Sequence, residues 1–148
     1  MGVDYGLRRV GIAVSDPSGT LARPVETIAW SRDPQTAARA ILAAAARLER
    51  DDAPIVTIVI GLPRRLDGSA NDQTPLAQAV ATALSAAAGG RTIVLQDERL
   101  TSHEAESLLA VREKDWRVRK ARLDAVAAAV ILQEYLDARG SGVGTDRI

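Results

Sequence analysis

Residues 55–60 of this 148-residue chain are all β-branched, in the order Ile-Val-Thr-Ile-Val-Ile. The run has no alternation of apolar and polar side chains, a pattern typical of a strand buried on both faces of its sheet. Residues 91–96, in the order Arg-Thr-Ile-Val-Leu-Gln, read as a second strand of the buried type. Strands covered on both faces occur in parallel or mixed sheets that carry helices on either side. We therefore expect an α/β fold.

The flanking segments predict the order of elements around these two strands. The start of the chain reads as a hairpin and a third strand, because short apolar segments are separated by turn residues. Helices are expected where a capping residue precedes proline, at Asp33-Pro34 and Thr74-Pro75, and at a capping box that starts at Thr101. The predicted strands are residues 1–5, 10–15, 21–30, 55–60 and 91–96, and the predicted helices are residues 33–48, 74–88, 102–111 and 121–138. This β-β-β-α-β-α-β-α-α order predicts a mixed five-stranded sheet with helices on both faces.

Length and composition indicate one globular domain. We place it at residues 1–138 and expect the glycine-rich residues 139–148 to be a flexible tail. Hydrophobic residues make up 47% of the chain and charged residues 26%, which is ordinary for a globular protein, and no apolar stretch approaches the ~20 residues of a membrane helix. The chain has no cysteine and no signal-peptide pattern at its start. We expect a cytoplasmic protein without a membrane partner.

Three acidic residues in unrelated settings are the main candidates for a functional site. Asp4 and Glu98 end predicted strands, and Asp124 interrupts an apolar helical segment. A charge in such a place costs free energy unless something compensates it, and open sheets bind ligands at the carboxyl ends of parallel strands. Each residue also has a simpler interpretation, since Asp4 could stabilise a turn and Glu98 or Asp124 could favour a helix dipole.

Converging carboxylates would suit a hard divalent cation such as Mg²⁺. The chain has no cysteine and a single histidine, so any metal would have to be held through oxygen. Asp124 shares its helical face with Ala127, Ala128 and Ile131. The small alanines would let this helix approach the sheet closely enough for a short carboxylate to reach a strand end. The pattern therefore predicts metal-dependent chemistry at the acidic residues.

Basic residues concentrate in residues 112–122, although the whole chain has 19 basic and 19 acidic residues and no net charge. This segment holds six basic and two acidic side chains and lies immediately before Asp124. It is typical of a solvated face, and its position also suits contacts with phosphate. Because the segment has few apolar residues to bury, we expect it to be flexible until it binds nucleic acid.

Four ordered segments resemble one known family. Residues 4–13 read D-Y-G-L-R-R-V-G-I-A and are similar to the D-Y-G-x-[KR]-R-[IV]-G-[VI]-A start of the YqgF family. The segments I-G-L-P (60–63) with D-G (67–68), D-E-R-L-T-S (97–102), and D-A-V-A-A (124–128) with I-L-Q (131–133) follow in the family's order. The resemblance covers residues 1–136. Members usually carry several more residues before the aspartate, so the first strand is expected to be short here.

The YqgF family comprises pre-16S rRNA nucleases that were once described as Holliday junction resolvases. The resemblance implies an RNase H-like fold of the RuvC type, with Asp4, Glu98 and Asp124 in the positions of its acidic triad. It implies a nuclease that holds Mg²⁺ or Mn²⁺ on these residues and processes the 5′ end of precursor 16S rRNA, or that resolves branched DNA. A monomer or a homodimer fits this role. Phosphate contacts are expected from Arg8, Arg9, Arg64, Arg65, Arg117, Arg119 and Lys120.

Two other functions fit parts of the sequence. A nucleotide-binding domain of the actin and sugar-kinase type shares a D-x-G hairpin and a related sheet, but such proteins use two domains and this chain has the length of one. A catalytically silent RNA- or ribosome-binding module would keep the fold without the chemistry. The intact acidic triad argues against that module, whereas the absence of net charge agrees with it.

Overall fold

A central β-sheet with helices packed on both faces forms the framework of the molecule, as seen in a computed structural model. The structure describes residues 1–6, 8–51, 53–63, 65, 67–98, 116–141 and 146–147, without the side chains of residues 98, 116–121, 141 and 146–147. The described strands are β1 (Gly2–Tyr5), β2 (Arg9–Ser15), β3 (Ala22–Ala29), β4 (Thr57–Pro63), β5 (Thr92–Glu98) and β6 (Asp146–Arg147). The described helices are α1 (Pro34–Asp51), α2 (Thr74–Ala86) and α3 (Trp116–Ser141).

The strands of the sheet follow the order β3-β2-β1-β4-β5-β6. β1, β2 and β3 form an antiparallel meander, whereas β1, β4 and β5 run parallel to one another. The predicted mixed α/β sheet is confirmed, and all five predicted strands are present. Because β1, β4 and β5 are parallel, their carboxyl ends meet at one edge of the sheet, where such folds place their ligands.

The end of the chain differs from the predicted flexible tail over residues 139–148. α3 continues to Ser141, and Asp146 and Arg147 pair antiparallel with Leu95 and Val94 of β5. The sheet therefore has six strands rather than the predicted five. Without β6, β5 would be an edge strand with a row of unpaired N–H and C=O groups. Pairing with Asp146 and Arg147 satisfies part of that row.

α3 also begins earlier than predicted. The predicted start was near Ala121, after a flexible basic segment over residues 112–122, but the helix extends from Trp116. Residues 112–115 lie outside the described residues. Arginine and lysine are good helix formers, so a basic segment can join the apolar helix that follows it. The predicted helix over residues 102–111 lies outside the described residues. In the described part of the chain, none of the helices combines the length and the apolar character needed to cross a membrane.

Strand alternation divides the apolar side chains between two cores. Ile12 and Ile60 are fully buried on the face covered by α1 and α2. Ala13 and Val94 are buried on the opposite face, against α3. Successive side chains of a strand point to opposite faces, and Val3 belongs to the first core. The next residue of β1, the predicted metal ligand, therefore lies on the α3 face.

Gln133 attaches α3 to the connection between β2 and β3. Its side-chain oxygen accepts a hydrogen bond from the Ala22 backbone N–H at 2.9 Å. Its amide nitrogen donates to the Thr20 carbonyl at 2.9 Å and to Asp137 Oδ1 at 3.0 Å. These bonds hold the helix on the sheet about two and a half turns after Asp124.

Candidate active site

Asp4 lies in β1, between β2 and β4 in the middle of the sheet. It is paired with Gly11 of β2, and only 6% of its surface is exposed. Burial, and to a smaller extent the negative charge of Asp124, raise the pKa of the Asp4 carboxyl from 3.8 to about 7. A carboxyl group held where its charge is this costly is typical of functional sites.

Asp124 reaches the same region from α3, whose backbone lies directly on β2. A Cβ atom on Gly11 would lie 1.9 Å from the backbone carbonyl oxygen of Asp124 and 2.3 Å from its carbonyl carbon. The side-chain Oδ1 of Asp124 is 3.6 Å from the corresponding Cβ position of Gly6, just after β1. Asp4 and Asp124 therefore converge, which is why the charge of Asp124 affects the pKa of Asp4.

Two glycines of the sheet allow this close approach. Besides Gly11, Gly2 of β1 lies under α3, where a Cβ would meet the Ala128 carbonyl oxygen at 2.6 Å and Leu132 Cβ at 2.7 Å. The predicted approach rested on the alanines of the helix, and the contribution of the two glycines was not predicted. A signal was available, because both glycines share the strand face of the aspartate, one two residues before it and the other opposite it.

Glu98 is the last residue of β5, in register with Pro63 of β4. Its side chain lies outside the described residues, and strand alternation predicts that position 98 shares the α3 face with Val94. Gln96, between them, has a buried side-chain oxygen with no hydrogen-bond partner in the described structure. Among the side chains that are described, no group of three acidic or histidine residues is placed to hold a metal. The structure thus brings together Asp4 and Asp124 from the predicted triad.

Arg9, the first residue of β2, contacts the Asp124 carboxylate. Its Nη1 atom lies 3.7 Å from Asp124 Oδ2, and the two side chains are 35% and 26% exposed. The neighbouring Arg8 is exposed. Both arginines were predicted to contact phosphate, whereas the structure distinguishes them, because Arg9 forms an ion pair at the carboxylate site.

The sequence model of one family, described as "RuvX: Holliday junction resolvase", matches residues 1–138. The chain belongs to the RuvX family. RuvX and YqgF name the same family, so this match confirms the family predicted from the four sequence segments. The chain is 41% identical to a protein of Anaeromyxobacter dehalogenans (strain 2CP-1 / ATCC BAA-258), covering 94% of this chain and 96% of that protein. It is 36% identical to a protein of Nocardioides sp. (strain ATCC BAA-499 / JS614), covering 100% and 94%. Both relatives bear the name "Putative pre-16S rRNA nuclease".

Solved structures with a similar fold include RuvC from T. thermophilus. RuvC in complex with a Holliday junction substrate gives a TM-score of 0.52 at 17% identity, covering 99% of this chain and 97% of that chain. A second T. thermophilus RuvC structure gives a TM-score of 0.50 at 16% identity. At this level of identity the similarity concerns the fold alone. It confirms the RNase H-like fold predicted for this RuvX-family chain.

The other predicted phosphate contacts of this RuvX-family chain are described to different extents. Arg65 is exposed in the loop that follows β4, and Arg8 is exposed between β1 and β2. Both lie near the edge of the sheet at which β1 and β4 end. The remaining predicted contacts are Arg117, Arg119 and Lys120, which lie in α3 with side chains that are not described, and Arg64, which lies outside the described residues.

The loop after β4 uses its own polar groups to hold its shape. The Arg65 N–H donates to the Ser69 carbonyl at 2.9 Å, and the Gly68 N–H donates to the Arg65 carbonyl at 2.8 Å. The Thr74 hydroxyl, at the start of α2, donates back to the Pro63 carbonyl. These hydrogen bonds fix the backbone that carries the exposed Arg65 side chain, next to the carboxyl end of β4.

The described residues fit a hard divalent cation. Mg²⁺ and Mn²⁺ prefer oxygen ligands, and the carboxylates of Asp4 and Asp124 converge where burial and mutual repulsion disfavour two negative charges. The buried oxygen of Gln96, which lacks a partner in the described structure, lies on a strand face that alternation assigns to α3. A divalent cation would offset the repulsion without any histidine or thiolate ligand.

Proposed function

We propose that this chain is a divalent-metal-dependent nuclease that hydrolyses phosphodiester bonds in structured nucleic acid, with the 5′ end of precursor 16S rRNA as its main substrate. The observation that carries the proposal is the convergence of Asp4 and Asp124 on the α3 face near the carboxyl end of β1. Relatives that are 41% and 36% identical over most of the chain support it by their names.

Asp4, Glu98 and Asp124 would hold the metal, which we propose to be Mg²⁺ or Mn²⁺. When bound, a metal of this class activates water and stabilises the charge that develops on the leaving oxygen. Asp4 is anchored in the middle of the sheet, and Asp124 belongs to a helix whose backbone rests on Gly11. Rigid elements therefore preorganise both carboxylates, which is what a catalytic site requires.

Basic side chains around this site would neutralise the substrate phosphates. Arg8 and Arg65 are exposed near the carboxyl edge of the sheet, and Arg9 lies beside Asp124. Because the whole chain carries no net charge, affinity for nucleic acid would come from such local groups rather than from a global field. Arg64, Arg117, Arg119 and Lys120 complete the proposed set.

A Holliday junction resolvase is the second candidate function. The description of the RuvX family and the fold similarity to RuvC favour it. Both activities would use the same carboxylates, since each is a phosphodiester hydrolysis, and they differ in the nucleic acid that is bound. The substrate, rather than the acidic residues, therefore has to be varied to distinguish them.

A side-by-side assay tests both candidates. Labelled precursor rRNA carrying the 16S 5′ end and a four-way DNA junction are each incubated with the protein and Mg²⁺ or Mn²⁺. We expect cleavage of the RNA, and we expect Asp4→Asn, Glu98→Gln and Asp124→Asn each to abolish it while circular dichroism stays unchanged. Asp51→Asn, at the exposed end of α1, is the matched control and should cleave normally. Cleavage of the junction alone would favour the resolvase, and cleavage of neither would favour the silent binding module.

We further propose that the protein acts in the cytoplasm as a monomer or a homodimer. The absence of cysteine from the chain suits a reducing compartment. Size-exclusion chromatography with light scattering measures the oligomeric state directly, and cell fractionation tests the compartment.

A further inference from the structure

β2 presents two residues to Asp124 on one strand face. Gly11 supports the backbone of Asp124, and Arg9, two residues earlier, lies with its Nη1 3.7 Å from the Asp124 carboxylate. Val10 and Ile12 belong to the core on the opposite face, as strand alternation requires. β2 therefore sets the distance of α3 from the sheet and places the positive charge of Arg9 next to the Asp124 carboxylate.

We propose that Arg9 is a built-in counter-ion of Asp124, which a divalent cation displaces and which then binds a substrate phosphate. The inference rests on the proposed function, which assigns a metal to Asp4 and Asp124, and it adds a regulator of that metal site. In the metal-free protein the guanidinium offsets part of the charge of the Asp124 carboxylate. Metal and Arg9 therefore compete for one carboxylate.

The contact between Arg9 and Asp124 is suited to exchange. Its length of 3.7 Å exceeds the hydrogen-bond range of about 2.7–3.2 Å, so electrostatic attraction rather than a directed hydrogen bond holds the pair. Both side chains are partly exposed, and exposed ion pairs contribute little net stability to a fold. Arg9 can leave the carboxylate without loss of the surrounding structure.

A substrate phosphate is expected to relieve this competition. The planar fork of guanidinium donors matches phosphate geometry, so nucleic acid draws Arg9 away from Asp124. The metal then meets less repulsion at that carboxylate. By reciprocity, a bound metal releases Arg9 toward phosphate and tightens nucleic-acid binding. The metal affinity of the protein alone would thus be held down until a substrate arrives.

Titration calorimetry with Mn²⁺ tests the competition without any cleavage. The wild-type protein, Arg9→Met, Arg9→Gln and Arg9→Lys are titrated without nucleic acid, at about 0.15 M salt, where charges farther apart than ~8 Å are largely screened. We expect Arg9→Met and Arg9→Gln to bind Mn²⁺ about three- to tenfold more tightly than the wild-type protein. In these variants the Arg9 guanidinium no longer repels Mn²⁺ or competes with it for the Asp124 carboxylate. Arg9→Lys keeps the charge and should stay close to the wild-type affinity.

Arg8→Met is the matched control, because it removes the same charge from the adjacent, exposed position. It should leave Mn²⁺ affinity unchanged. A second titration adds a phosphorothioate RNA oligonucleotide, which resists hydrolysis. We expect the oligonucleotide to tighten Mn²⁺ binding more in the wild-type protein than in Arg9→Met, since the variant no longer has the Arg9 guanidinium for the RNA to draw away. Thermal unfolding without metal checks that every variant is folded.

Several outcomes would overturn the inference. Unchanged or weaker Mn²⁺ binding by both neutral variants would mean that Arg9 aligns Asp124 instead of competing with the metal. An equal gain in Mn²⁺ affinity for Arg8→Met would mean that the effect comes from the loss of any nearby positive charge and not from the contact of Arg9 with Asp124. An absence of Mn²⁺ binding by every protein would contradict the metal site of the proposed function itself. If the Mn²⁺ affinities change as expected but the wild-type protein does not cleave RNA in the separate assay, the proposed nuclease is contradicted and the counter-ion role is left intact.

Discussion

Gly11 of β2 and Asp124 of α3 are in backbone contact. The nearest atoms that a Cβ on Gly11 would meet are the carbonyl oxygen and carbon of Asp124, at 1.9 and 2.3 Å, and the backbone nitrogen of Ala125 at 2.9 Å. Real Cβ atoms do not approach other atoms within 3.0 Å, and backbone atoms cannot rotate away as a flexible side chain can. The position of a candidate catalytic carboxylate therefore depends on the absence of a side chain from a neighbouring strand.

Gly11→Ala should displace α3 and remove activity. The added methyl group must push the helix off β2, which moves the Asp124 carboxylate and costs about 1–3 kcal/mol of overpacking. Thermal unfolding and RNA cleavage measure the two effects. Gly140→Ala, also in α3 but with nothing within 4 Å of its Cβ position, should cleave normally and unfold at the same or a higher temperature. Normal cleavage by a folded Gly11→Ala protein would show that activity does not depend on the distance between α3 and β2.

Ala128→Leu should cost activity before it costs the fold. Ala128 is fully buried, and its carbonyl oxygen lies over Gly2, so a larger side chain pushes α3 outward. An overpacked site typically loses ~1–3 kcal/mol, which a domain of this size survives. A carboxylate shifted by about 1 Å loses its metal geometry, because Mg²⁺ requires contacts near ~2.1 Å. We expect a folded protein that binds RNA and cleaves poorly.

The matched control for this substitution is Ala46→Leu, at an exposed position of α1. It adds the same side chain to a helix on the opposite face and should leave cleavage unchanged. If Ala128→Leu cleaves as well as this control, the packing of α3 is not what positions Asp124.

The buried carboxyl of Asp4 predicts that the metal-free protein loses stability as the pH rises. Its pKa is about 7 in the folded protein, against an ordinary value of 3.8. Between pH 3.8 and about pH 7 the folded state therefore binds the Asp4 proton more tightly than the unfolded state does. The contribution of Asp4 to the free energy of unfolding is greatest below about pH 4 and is lost as the pH rises to about 7. The change is on the order of 4 kcal/mol.

Asp4→Asn removes this titration, so its free energy of unfolding should change less between about pH 4 and pH 7 than that of the wild-type protein. Asp124→Asn should reduce the slope in part, because it removes the repulsion that helps to raise the Asp4 pKa. Asp51→Asn, on the exposed end of α1, should keep the wild-type slope. Urea unfolding at several pH values gives the comparison, and parallel curves for Asp4→Asn and wild type would contradict burial of a titrating Asp4.

The exposed arginines near the carboxyl edge should contribute to nucleic-acid affinity through phosphate. Arg8→Ala and Arg65→Ala should each weaken binding and reduce the slope of log affinity against log salt by about 1, because fewer counterions are released. The triple replacement of Arg117, Arg119 and Lys120 by alanine should reduce that slope further.

Filter binding at several salt concentrations measures these slopes. Arg50→Ala, exposed at the end of α1 on the other face of the sheet, should leave the slope unchanged. An equal loss for Arg50→Ala would mean that binding responds to total charge rather than to a defined surface.

The prediction of the sheet rested on signals that lie within short segments. Apolar runs without alternation predicted the strands that became β4 and β5, and the structure confirms them as neighbours in a parallel pair. Proline after a capping residue predicted the starts of α1 and α2, which the structure places at Pro34 and Thr74. The predicted capping role of Thr74 is wrong, because Thr74 is the first helical residue after Gln73 and its hydroxyl donates to the Pro63 carbonyl. Backbone preference and burial at these positions are local properties, so the residues themselves were sufficient.

Asp4 and Asp124 could be selected from the sequence, because a carboxylate in an apolar segment needs a compensating partner wherever the segment folds. Their convergence, the contact of Arg9 with Asp124 and the glycine supports of α3 could not be derived in the same way. Each depends on which strand lies under which turn of a helix more than 100 positions away in the chain, and no local signal encodes that distance.

The sequence by itself determined the alternation of strands and helices, the family, and the absence of thiolate ligands from any metal site, because residue type and spacing decide these properties. Only the tertiary structure decided that α3 rests on Gly2 and Gly11, that Arg9 lies 3.7 Å from the Asp124 carboxylate, and that the end of the chain pairs with β5. The physical reason is that close packing of distant segments sets these contacts. A missing Cβ or a nearby charge has a consequence only once the opposing backbone is in place.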